Sequence, residues 1–170
     1  MSVNNLNISF RDEFFKDKEL FEYLGRSIYE FQRLENTLAF IIKELHRDKI
    51  KGENISEYLH EIKKILDKNP KDTLGYLIKE LNRLSPPDEK SNKLLKKALG
   101  KRNYIAHNIF LDNWIVMISP PYLRSVIKDK LKQSMEIISS AYKLSEKILS
   151  DTQKRIKADN NKEDDLQKKH

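Results

Sequence analysis

The sequence has no cysteine, which excludes disulfides, zinc–thiolate sites and thiol catalysis. Glycine numbers only four and proline five among 170 residues, too little turn chemistry for a β-sandwich or barrel. No apolar run exceeds five residues, the length of Leu38-Ala39-Phe40-Ile41-Ile42, against the roughly 20 a helix needs to span a bilayer. The opening Met1-Ser2-Val3-Asn4-Asn5-Leu6-Asn7 shows neither the basic n-region nor the apolar h-region of a secretory signal. These absences lead to the expectation of a cytoplasmic protein with no membrane attachment.

What is abundant is charge and helix-forming residues. Charged side chains make up 35% and hydrophobic ones 38% of the chain, with Leu, Ile, Lys and Glu prominent. That composition favours one helical domain large enough to bury a core. Lys and Arg total 33 against 26 Asp and Glu, a net charge of +7. A surplus of this sign favours polyanionic partners such as RNA, DNA or anionic surfaces.

Apolar periodicity predicts an all-α antiparallel bundle of four to five helices. A first helix is expected over 17–47, with Leu24, Ile28, Phe31, Glu35, Leu38, Ile42 and Leu45 spaced alternately four and three. A second is expected over 54–68, stopped by Asn69-Pro70, and a third over 72–84, capped by Asp72. Ser85-Pro86-Pro87-Asp88 stops the chain and restarts it. A fourth helix over 88–110 then carries the stripe Leu95, Ala98, Arg102, Ile105 and Ile109. A last helix over 121–158 places Val126, Ile127, Leu131, Met135, Ile138, Tyr142, Ile148 and Leu149 on its buried side. Residues 1–17 form an N-terminal extension, 18–158 the bundle, and 159–170 a charged tail expected to be disordered. The apolar, β-branched segment Trp114 to Ile118 suits a short strand, a cap over the bundle or part of a dimer surface.

Two members of these stripes are charged and opposite in sign, Glu35 and Arg102. A charge in a core seam is costly unless paired and hydrogen-bonded. Either the two face each other or a shared polar pocket, or the helices rotate so that Leu34 replaces Glu35 inside and Arg102 snorkels outward. Next to Arg102, Asn103 and His107 lie four apart on one helix face, so the amide can orient the imidazole. Arg102 and His107 lie five apart, about 140° around a regular helix. A site using both needs the helix to loosen there, or a second copy of the chain to supply one of them.

The peptide Arg102-Asn103-Tyr104-Ile105-Ala106-His107 resembles the Arg-(four to six residues)-His motif of HEPN domains, in the form Arg-Asn-x-x-Ala-His. Its position late in the penultimate helix, the inward acid Glu35 and the helix-opening Thr73-Leu74-Gly75 are similar to that family over roughly residues 18–150. The resemblance implies a symmetric homodimer and metal-independent endoribonuclease chemistry, with Arg102 and His107 as the catalytic pair. It further implies an RNA substrate, products ending in a 2′,3′-cyclic phosphate, and a toxin or antiviral defence role with a neutralising antitoxin or regulatory protein as partner. Asn103, Glu35 and Tyr104 are expected to support the pair, Tyr104 through aromatic packing. Related toxins often carry Tyr two residues after the His, where this chain has Ile109, so control by modifying that tyrosine lacks its target.

Lys97 and Lys101 beside the motif, with Arg124 and Lys128 on the last helix, are candidates for an RNA-backbone groove. No His/Asp/Glu cluster has metal-ligand spacing, so neither a metal nor another cofactor is expected. His46 and His60 read as surface residues. The alternative to a nuclease is a non-catalytic HEPN-like dimerisation module that binds RNA, a nucleotide or a protein. A third possibility is a helical adaptor in which the motif is accidental.

Overall fold

A computed structural model describes residues 17–49, 73–109 and 124–167. Their regular structure is helical throughout: α1 (Lys18–Lys49), α2 (Thr73–Leu84), α3 (Glu89–Asn103), a π-helical turn (Tyr104–Asn108) and α4 (Ser125–Gln167). The expected helix over 54–68, the Asp72 cap, the Trp114–Ile118 segment, His60, His170 and nearly all of the N-terminal extension lie outside the described residues.

Local chemistry sets the helix starts. Asp17 accepts the Leu20 N–H through its carboxylate at 3.1 Å, capping α1. Asp88 does the same for α3, accepting from the Ser91 N–H at 2.9 Å and the Ser91 hydroxyl at 2.7 Å. The intervening Pro86 and Pro87 separate α2 from α3, because the residue before proline is pushed out of the α region.

Paired contacts define the topology. Asn82 and Asn92 exchange side-chain amide bonds at 2.9 and 3.3 Å, and Gly75 sits against Leu99, so α2 and α3 run antiparallel. Tyr104 lies under Lys130 while Leu94 shares a groove with Leu144, so α3 and α4 are antiparallel too. The first and last helices instead run parallel. Lys128 meets Asp17 and Glu19, Lys132 covers Tyr23, and Arg33 stacks on Tyr142 at 4.0 Å. Each contact advances in the same direction along both helices.

One core joins all four helices, with Leu34, Leu38 and Ile41 of α1, Leu81 of α2, Leu95 of α3 and Ile138 of α4 fully buried. The α3 stripe is buried as its spacing predicts, Arg102 included. The α1 face is rotated from expectation: Leu34 and Ile41 are inside and Ile28 is exposed. In α4, Val126 is likewise exposed, while Ser134, Ala141, Ser145 and Thr152 are buried. Ser27, Ser134 and Ser145 each return a hydroxyl hydrogen bond to their own helix, which makes small polar residues tolerable in the core. Such residues leave no apolar signature in a sequence.

The last helix corrects a second expectation. It does not end at Ala158 but continues to Gln167, so most of the segment expected to be a disordered tail is helical. No Gly or Pro follows Pro121, and adding a residue to an existing helix avoids the nucleation cost of starting one.

Candidate functional site

The helix that carries Arg102 and His107 changes form between them. After Asn103 the backbone widens into the π turn, and the Ile109 N–H reaches the Tyr104 carbonyl five residues back. The Tyr104 N–H at the junction is shared between the carbonyls of Gly100 and Lys101. Such turns are rare, and they occur preferentially at functional sites. Here the widened turn keeps Ile105 and Ile109 both buried, at 3% and 2% exposure, while Ala106, His107 and Asn108 are exposed between them. Each residue in a π turn advances the helix by a smaller angle than in an α-helix. His107 therefore lies less than 140° around from Arg102, and the helix loosens at the place where a site using both residues requires it.

Arg102 points inward. Its Nε donates to Glu35 Oε1 at 3.3 Å, with only 10% of the Arg102 side chain and 16% of the Glu35 side chain exposed. Its guanidinium carbon stands 5.7 Å from the centre of the Phe31 ring, and Nη1 reaches Asn103 Oδ1 at 3.5 Å. Of the two sequence alternatives, parts of both hold. Leu34 is inside, yet Glu35 is half-buried at the edge of the same face and pairs with Arg102 across the bundle. Burial pushes the Glu35 carboxyl above its ordinary value, and Arg102 opposes that shift by attraction and hydrogen bonding.

The remaining candidates divide. Asn103 turns its carbonyl oxygen to Arg102 rather than orienting His107. Tyr104 packs against the core with the Lys130 ammonium 6.0 Å from its ring centre. Phe31 was not among the expected site residues, although its place one turn before Glu35 on the same helix was the available signal.

The two groove candidates expected on the last helix, Arg124 and Lys128, do not form an exposed basic pair. Arg124 is 1% exposed, so it is not a surface cation. Lys128 is tied to Asp17 Oδ1 at 3.0 Å and Glu19 Oε2 at 2.7 Å, which uses its charge to hold α4 to the start of α1. Spacing along one helix cannot reveal acids supplied by another. Lys97 is exposed and Lys101 half-buried, and both remain on the motif-bearing helix. His46 is not a surface residue either, since its Nε2 lies 3.1 Å from Glu80 Oε1. Arg83 also bonds Glu80, through Nε at 2.9 Å. Arg83 is the main cause holding the Glu80 carboxyl below its ordinary value, against burial and with help from His46.

Among the described residues, no three His, Asp or Glu side chains converge as a metal site would require. No helix among them is long and apolar enough to cross a membrane. Comparison with family models, curated proteins and solved structures finds no match. The functional reading rests on the motif and on its geometry.

Proposed function

We propose that the protein is a metal-independent endoribonuclease of HEPN type, a toxin or antiviral defence effector acting as a homodimer in the cytoplasm. The observation that carries this reading is the π turn between an inward guanidinium, braced by Glu35, and the exposed imidazole of His107. In the proposed reaction His107 accepts the proton of an RNA 2′-hydroxyl, an imidazole being able to exchange a proton near neutral pH. The 2′-oxygen attacks the adjacent phosphorus and the 5′-oxygen leaves, taking up a proton from the second imidazole of the dimer. The products are a 2′,3′-cyclic phosphate and a 5′-hydroxyl.

Arg102 stabilises the charge that builds on the phosphoryl oxygens. Glu35 is a positioning residue, because its bond to Nε sets the plane of the guanidinium. Two copies of the π turn brought together by a dimer axis would place four such groups about one strand.

One observation favours a second reading. Arg102 is nearly buried in its ion pair, as a purely structural clamp between α1 and α3 would be, and the chain would then be a non-catalytic binding module. RNA cleavage in excess EDTA separates the two, using the parent, His107→Ala and Arg102→Lys at matched dimer fraction. Cleavage by the parent leaving cyclic phosphate ends, reduced about 10²- to 10⁴-fold by His107→Ala, supports the nuclease. No cleavage by a folded, dimeric parent supports the binding module.

A further inference from the structure

Thirteen residues before Arg102, the start of α3 forms one wall of an open groove of about 490 Å³, and α4 forms the other. Lys90, Lys93 and Lys97 from α3 and Lys147 from α4 line it, over a floor that includes Leu94 and Leu144. All four lysines are exposed, and among the described residues none has an anionic partner. This separates them from Lys128, whose charge is already paired. Among the described residues the one acid in the lining, Asp88, is engaged by the Ser91 N–H and hydroxyl as the cap of α3, which holds its carboxyl below the ordinary value. Among the described residues the groove therefore presents four cations without an ion-pair partner against one carboxylate, a net positive lining.

We propose that this groove binds the phosphodiester backbone of single-stranded RNA and guides the strand along α3 towards the π turn. The choice of RNA as the polyanion rests on the nuclease reading; the need for a polyanion rests on the charges alone. Lys90, Lys93, Lys97 and Lys101 recur at spacings of three and four, about one cation per 5.4 Å turn of helix, a repeat suited to successive phosphates on an extended strand. From Lys90 to His107 is 17 residues, about 25 Å along the helix axis, so the strand would span several nucleotides between groove and imidazole. Among the described residues no aromatic side chain lines the groove, so the lining offers backbone contacts without a stacking platform, and binding there should be independent of sequence. An anionic membrane is disfavoured because the site is concave, with its apolar residues on the floor rather than projecting.

The test uses the full chain carrying His107→Ala, so that the probe is not cut, and measures anisotropy of a labelled oligouridine across a salt series. Four phosphate contacts give a slope of log affinity against log salt of about −2.8, and Lys93→Gln/Lys97→Gln should halve it to about −1.4. Lys18→Gln/Lys79→Gln, which removes the same charge outside the groove, should leave the slope unchanged. Equal loss in both double variants overturns the groove, because net charge alone would then explain binding. Binding to phosphatidylserine vesicles that needs Lys93 and Lys97, with RNA binding that does not, overturns it in favour of a membrane. Cleavage by the chain with native His107 separates this proposal from the nuclease reading. Lysine-dependent binding without cleavage keeps the groove and removes the nuclease; cleavage with lysine-independent binding does the reverse.

Discussion

Removing the guanidinium of Arg102 should destabilise the bundle in a way that depends on pH. The Arg102 and Glu35 side chains are 10% and 16% exposed and meet at 3.3 Å. Arg102→Ala leaves Glu35 half-buried without its cation. Removing one partner of a fully buried pair costs about 3–5 kcal/mol; residual water at this pair lowers the expectation to about 2–3 kcal/mol. With a urea m-value of roughly 2 kcal/mol per molar, that shifts the unfolding midpoint down by about 1–1.5 M. The sign of the pH dependence follows from Glu35, whose carboxyl burial already raises. Without Arg102 it rises further above its unfolded value near 4.5, so the folded state binds the extra proton. The variant's shortfall should then be smallest below about pH 4.5, grow as pH rises through the folded-state value, and level off above it. Replacing both partners, Glu35→Leu with Arg102→Met, should return stability to within about 1 kcal/mol of the parent, since no orphaned charge remains. Urea unfolding followed by far-ultraviolet circular dichroism across pH measures all of this. A pH-independent loss, or a double variant as unstable as Arg102→Ala, would refute the buried pair and assign the loss to packing.

His107 is exposed and outside the core, so His107→Ala should leave the unfolding free energy from urea titration within about 0.5 kcal/mol of the parent while reducing cleavage about 10²- to 10⁴-fold; a large stability loss would show that the imidazole is structural. Gly25 lies inside α1 with open space where a Cβ would stand, and Gly25→Ala should stabilise by about 0.5–1 kcal/mol in a thermal melt, with destabilisation indicating an unrecognised contact. Glu80 is held below its ordinary 4.5 by Arg83 foremost, so its contribution is complete above about pH 4.5 and lost as pH falls through the lowered value. Glu80→Gln should therefore narrow its gap to the parent on acidification, as read by urea midpoints, and a gap that widens would contradict the assignment. Leu38 is fully buried, and Leu38→Ala should cost about 2–5 kcal/mol through the cavity it opens.

Much of the fold was legible because its helices announce themselves by period and by cap. The stripe Leu95, Ala98, Arg102, Ile105 and Ile109 is buried as spaced, and Asp88 caps α3 where Pro86 and Pro87 had marked a restart. What escaped was whatever depends on a second element. Ser27, Ser134 and Ser145 are buried because each hydroxyl is satisfied within its own helix, so their polarity says nothing of their position. Lys128 looked like a free cation until Asp17 and Glu19 came alongside it, and His46 lacked a partner until Glu80 did. The motif illustrates both limits together. Its spacing showed that a regular helix would separate Arg102 from His107, and the π turn answers that separation in part. A partner for Arg102 was one of two readings open in the sequence, because a buried charge demands an opposite one and Glu35 was the other charge in an apolar stripe. The exposed His107 makes no such demand on the rest of the chain. That asymmetry fits a residue whose partner is a substrate, and it is why His107→Ala is the substitution that separates chemistry from folding.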